Sequence, residues 1–220
     1  MKKLICYSLW GDNPKYTIGA IKNAEQINEI YPGWKARFYC GTSVPDDIAC
    51  QLLSLGSEVH LMPEEGDWSG MFWRFEAIAD PDVEVMLSRD TDSRLTKREA
   101  LAVNYWLRSD KLFHVMRDHP EHNTEILGGM WGARKPILQD MKHLIQSYTK
   151  GNFWQVDQNF LREVIWPRVA YTTFTHDPFF AKINFPSQRI GYEFIGQVWD
   201  ENEQTVQEHI NILKKHLTAT

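Results

Sequence analysis

The sequence predicts an α/β fold with a mixed, mostly parallel central sheet flanked by helices, and three observations carry that reading. Apolar strand-like runs alternate with amphipathic helical segments through the first half of the chain. The helical segments carry start and stop residues at their ends. Successive strands are separated by a helix rather than a two-residue turn, so they pair in parallel through right-handed crossovers.

The first strand is the apolar run 3–10, "KLICYSLW". The helix after it spans 16–31, where Ile18, Ile21, Ala24, Ile27 and Ile30 recur at helical spacing. "WKARFYCG" (34–41) alternates as a second strand, 44–56 is a short helix opened by Pro45 and closed by Gly56, and "SEVHLMP" (57–63) is the third strand. A loop at 64–70 precedes a helix over 71–80, and "VEVMLS" (83–88) is the fourth strand. Thr96 and Glu99 match a capping box, which predicts a helix from Lys97 to Arg108. A strand at 111–118, a glycine-rich stretch at 126–135, helices at 137–150 and 155–167, and a terminal helix at 203–217 complete the expectation. The terminal helix places Val206, Ile210, Leu213 and Leu217 on one face, as a helix docked on the core would.

With 220 residues, 43% hydrophobic, the chain is long enough to bury a full core as one domain. The opening "MKKLICYSLWGDNPKY" starts like a signal peptide, but its apolar run reaches only Trp10 and no small-residue cleavage site follows before Asp12. No segment approaches the roughly 20 apolar residues that span a bilayer. Three cysteines, Cys6, Cys40 and Cys50, have no C-x-x-C spacing and fit a reducing compartment. The expectation is a soluble, cytoplasmic protein. A formal net charge of −5 does not favour general nucleic-acid binding.

"MLSRDTDSRL" (86–95) carries the chemistry. Residues two apart at a strand end point the same way, so Asp90 and Asp92 converge, and two carboxylates that close repel unless a cation separates them. Magnesium or manganese suits such a site, with substrate phosphates and waters filling the remaining positions. Ligands of open α/β sheets bind beyond the carboxyl ends of the strands, which is where this pair falls. A polar turn leading into a capped helix is the plain alternative. A calcium-loop reading fails because Arg94 and Leu95 stand where that loop needs an oxygen ligand and glycine. A haloacid-dehalogenase-type phosphatase would place such a pair after its first strand, and Arg94 breaks its pattern.

These residues resemble the GT-A class of glycosyltransferases, in which an Asp-x-Asp motif holds manganese or magnesium against the diphosphate of a nucleotide-sugar. "SRDTDSR", "MRDHPEH" and "GGMWGAR" are similar to those of small, mostly viral or microbial glycosyltransferases, including the N-terminal domain of a chlorella-virus enzyme. The resemblance implies a GT-A-like catalytic domain over 1–200, with a Rossmann-like nucleotide-sugar half (1–95), an acceptor half (96–200), and the 201–220 helix packed on it. It implies a UDP-linked donor and Mn2+ or Mg2+ held by Asp90 and Asp92, with His176 completing the shell. Arg74 and Arg89 would clamp phosphate, since guanidinium matches it bidentately. Ser8, Trp10, Asp12, Asn13 and Tyr16, in or beside the first strand-to-helix loop, would hold base and ribose. Gly128 and Gly129 would let backbone approach the ligand, with Trp131 as an apolar wall for the sugar. Asp157, or alternatively Asp118, would take the acceptor's proton.

The acceptor expected from this resemblance is a viral or microbial glycan. A hydroxymethylated base of phage DNA is the alternative; it needs a basic groove, to which residues 94, 97, 98, 108 and 111 would contribute. A metal-dependent phosphohydrolase or nucleotidyltransferase, or a non-catalytic nucleotide-binding module, would use the same aspartates.

Overall fold

The computed structural model describes residues 1–218. β1 (Lys2–Leu9) is an interior strand, third from one edge, of a seven-stranded sheet with strand order β3-β2-β1-β4-β6-β5-β7. β2 (Lys35–Cys40), β3 (Glu58–Leu61) and β4 (Val83–Ser88) join it in parallel, as the crossover pattern requires. β6 (Trp131–Arg134) runs antiparallel between β4 and β5 (Phe113–Met116), and β7 (Thr173–His176) closes the far edge parallel to β5. One sheet therefore runs through both halves of the chain.

Strand alternation sorts the apolar residues into two cores. Leu4, Cys6 and Met86 face one, and Ile5, Tyr7, Leu9, Val85 and Leu87 face the other. Burial on both faces is what a parallel sheet needs, and it explains why β1 reads as a continuous apolar run. α1 (Pro14–Ile30), α2 (Asp46–Ser54) and α3 (Lys97–Leu107) are the helices of the chain's first half. α1 starts at Pro14, two residues before the periodicity suggests, because proline suits a first helical turn and Asn13 Oδ1 accepts the Lys15 N–H at 3.0 Å.

Several elements differ from expectation. The 71–80 helix is a 3-10 helix over Trp68–Ala79, started early by Asp67, whose carboxylate accepts the Ser69 N–H at 2.8 Å. The 137–150 helix shortens to α4 (Met141–Ser147), since Leu138 adopts a left-handed φ of 59°. The 155–167 helix becomes α5 (Val156–Phe160), a π turn (Leu161–Ile165) and α6 (Trp166–Val169), with Pro167 unable to donate a helical hydrogen bond. β6 hides in the glycine-rich stretch and β7 in a threonine-rich one. α7 (Gln207–Thr218) docks through Leu213 and Ile210, while Val206 and Leu217 are substantially exposed. None of the described helices is long and apolar enough to cross a membrane.

Thr96 caps α3 as its motif predicts, accepting the Glu99 N–H at 3.1 Å. The Glu99 carboxylate is used elsewhere: buried, it accepts from Arg89 Nε and from the Tyr31 hydroxyl, each at 2.9 Å. Removing one partner of such a buried pair strands the other charge. Glu99→Ala is therefore expected to lower unfolding free energy by about 3–5 kcal/mol in denaturant titration; a loss within experimental error would show that the pair is not a stabilising unit.

Candidate active site

Beyond the end of β4 the chain turns through Arg89, Asp90, Thr91 and Asp92, beside the loop that joins β1 to α1. A cleft of about 230 Å³ opens there, bounded by Asp90, Gly128, Gly129 and Asp157 and by Trp68 and Trp154 at its exposed side. Its floor is organised by Arg74, from the 3-10 helix, which is buried. Arg74 donates from its backbone N–H to Ser8 Oγ at 3.2 Å and from Nη1 to the Arg89 carbonyl at 2.9 Å. The same Nη1 ion-pairs with Asp90 Oδ1, and Nη2 lies 3.4 Å from Asp157 Oδ2. The guanidinium thus joins the turn after β4 to α5, and the backbone N–H of the same residue ties them to β1.

The two aspartates of the Asp-x-Asp pair are held differently. Asp90 keeps 41% of its side chain exposed toward the cleft. Asp92 is largely covered and pairs with Lys15 Nζ at 2.8 Å. Burial, reinforced by the neighbouring Asp90 charge, pushes the Asp92 carboxyl up despite that lysine. Burial also raises the Asp157 carboxyl, with Arg74 opposing and Asp90 assisting. A cation near Asp90 and Asp92 would relieve the repulsion, and two hard carboxylate donors suit manganese or magnesium. The donor set fits such an ion.

Gly128 and Gly129 determine how closely these groups approach. A Cβ on Gly128 would stand 2.7 Å from Asp157 Oδ2 and 2.8 Å from Arg74 Nη2, and one on Gly129 would collide with the Asp90 carboxylate. The Gly128 carbonyl also accepts the Ser88 hydroxyl at 2.6 Å, tying this strand entry to β4.

Four expected site residues lie elsewhere. Arg89 alternates away from Asp90 into the core, where it donates to Glu99 and to the Ser88 and Trp131 carbonyls. Trp131 is fully buried and stacks on Phe113 at 5.2 Å, so it is core and not a sugar wall. Asp118 is fully buried between Arg98 and Arg189 and accepts the Ile195 N–H at 3.0 Å, which ties the 187–197 segment to α3 and leaves no role as a base. His176 shares a 2.8 Å hydrogen bond with His114 and stacks on Phe185, while burial lowers its pKa to about 4. Among the described residues no three His, Cys, Asp or Glu side chains gather as a metal site, so His176 does not complete a shell with the aspartates.

In the β1–α1 loop, Asp12, Asn13 and Tyr16 are exposed, whereas Trp10 packs edge-on against Trp73 at 6.2 Å. The sequence reading missed Lys15, which α1 brings to Asp92. It also missed Trp68 and Trp154. The "NFWQVDQ" stretch (152–158) held a usable signal, an aromatic pair in a loop just before the Asp157 helix.

This sheet, with its parallel first half, its antiparallel β6 and a carboxylate cleft at the carboxyl ends of β1 and β4, defines a GT-A-like α/β fold. No family model matches the chain and no curated protein matches it by sequence. Solved structures do match. A glycosyltransferase involved in glycosylation of the major capsid of PBCV-1 aligns with a TM-score of 0.53 and 16% identity, over 81% of this chain and 82% of its own. Glucosyl-3-phosphoglycerate synthase of Mycobacterium tuberculosis aligns with a TM-score of 0.51 and 14% identity, over 79% and 69%. Its complex with Mn2+, UDP-glucose and glycerol 3-phosphate aligns at 0.50 and 13%, over the same shares. The likeness at these identities is one of fold.

The Lys15–Asp92 pair predicts a measurable titration. Lys15 holds the Asp92 pKa down against burial, so Lys15→Met is expected to raise it further in a carboxyl-carbon NMR titration. An unchanged midpoint would contradict the ion pair.

Proposed function

We propose that the chain is a metal-dependent glycosyltransferase moving a sugar from a nucleoside-diphosphate donor, UDP-linked, to a glycan hydroxyl. The observation that carries the reading is the Asp90–Arg74–Asp157 arrangement: an exposed carboxylate beyond the end of β4 and a buried carboxyl held across one cleft by a shared guanidinium. The solved neighbours with this fold include a complex with Mn2+ and UDP-glucose, which supports both donor and metal.

Asp90 and Asp92 would hold the ion. When bound, it supplies Lewis-acid stabilisation for the negative charge that develops on the departing diphosphate. Lys15 adds positive charge beside the same aspartates. Asp157 accepts the acceptor's proton as the hydroxyl oxygen bonds to the anomeric carbon and the bond to diphosphate breaks. Its raised pKa makes it a better proton acceptor than an ordinary aspartate, provided the pH stays above that pKa. Arg74 keeps the carboxyl oriented.

The glycan reading is favoured over modified DNA because three of the five basic residues expected to line a DNA groove are already paired. Arg94 pairs with Glu203, Lys97 with Glu29 and Arg98 with Asp118.

Asp90→Ala and Asp92→Ala are expected to abolish manganese-dependent turnover of UDP-sugars while the circular dichroism spectrum is unchanged. Full turnover in both variants would remove the metal assignment. Activity of the wild type should fall with acid at a higher pH than an ordinary aspartate would give, since protonation of Asp157 removes the base. Asp157→Asn should bind UDP normally and turn over about a hundredfold or more slowly. Wild-type rates in that variant would exclude Asp157 from proton transfer.

A further inference from the structure

The charged floor of the cleft leaves its exposed side unexplained. Trp68 is 45% and Trp154 66% exposed, both line the cleft, and neither belongs to a core cluster. Their two loops are latched together: Asp67, the cap of the 3-10 helix that Trp68 begins, accepts the Asn152 amide N–H at 2.5 Å. Gln155 then adopts a left-handed φ of 68°, unusual for a residue with a side chain. That turn lets Trp154 before it and Asp157 after it border the same cavity.

The polar groups beside these indoles are neutral. Gln155 and Gln158 present amides. His122 accepts the Asp118 N–H on Nδ1 at 3.0 Å, which fixes its other ring nitrogen as a donor. Burial first, then the neighbouring His119, pushes its pKa down to about 3, so the ring stays uncharged at neutral pH. Among the described residues Arg74 is the one cation lining the cleft, and it is already paired with Asp90 and Asp157. A ligand phosphate or carboxylate at this mouth would meet acidic groups and no unpaired cation. A ligand with apolar ring faces and hydroxyl edges would meet flat indoles and neutral hydrogen-bonding groups.

We propose that Trp68 and Trp154 form the acceptor subsite, taking an uncharged sugar ring against their faces and directing its hydroxyl toward Asp157. This inference rests on the glycosyltransferase reading above. The atoms balance as in that reading: the acceptor oxygen gains the anomeric carbon, Asp157 gains the proton, and the nucleoside diphosphate leaves with the electron pair of the broken bond.

The test offers the purified protein manganese, UDP-glucose or UDP-galactose, and either methyl glycosides of glucose, galactose and mannose or a duplex containing 5-hydroxymethylcytosine. UDP release and product mass are measured. Transfer to at least one neutral glycoside is expected. Trp154→Ala and Trp68→Ala should each raise the glycoside KM about tenfold or more, with kcat and the UDP-induced melting shift little changed, and Trp154→Phe should restore most of the affinity. An unchanged glycoside KM in both alanine variants overturns the subsite, as does an equal loss of UDP stabilisation, which would assign the indoles to the donor. Preference for the modified duplex, or no glycoside accepted while UDP still stabilises the protein, also overturns it and leaves the donor reading standing. A wild-type protein that UDP and manganese do not stabilise at all overturns both.

Discussion

The buried Arg74 guanidinium is the constraint on which the rest of the site depends. Stripping an arginine of water is costly unless each charge finds a partner, and here two carboxylates, a backbone carbonyl and a serine hydroxyl are drawn to one residue. Those partners come from β1, from the turn after β4 and from the first turn of α5. The buried charge therefore holds the turn after β4 to α5, and the Arg74 backbone N–H adds β1 as the third segment of the cleft. The same contacts leave Asp90 facing solvent and Asp157 covered, and that burial raises the Asp157 carboxyl.

Backbone geometry supports that arrangement. Parallel strands place their carboxyl ends on one side of the sheet, so the β1–α1 loop and the Asp-x-Asp turn become neighbours without any residue being specially placed. The antiparallel β6 then brings Gly128 and Gly129 against the two carboxylates at distances that leave no room for a side chain. The aromatic mouth is added by segments flanking this core, the start of the 3-10 helix and the loop before α5.

Much of this was legible in the sequence, and the failures have physical causes. The period of the apolar runs gave β1 to β4 and their helices, because burial on both faces demands unbroken hydrophobicity there. Asp90 and Asp92 were legible because two-residue spacing at a strand end is a geometric statement. The same alternation, applied consistently, turns Arg89 away from Asp90, and Glu99 at buried helix spacing was the partner waiting for it. Trp131 and Asp118 misled because a tryptophan beside glycines and an aspartate in a polar loop look alike whether they face ligand or core. β6 and β7 span four residues each, too few for a period to register. Lys15 and Trp68 reach the site only through long-range folding, which local patterns do not encode.

The central claim is that the strand-end carboxylates form a metal-dependent nucleotide site. Calorimetric titration of UDP, GDP, CDP and ADP, each with manganese and with chelator, tests it most directly. The account predicts that UDP binds with manganese and that chelation abolishes or strongly weakens binding. Binding of no nucleotide under either condition, or binding that chelator leaves unchanged, would contradict it.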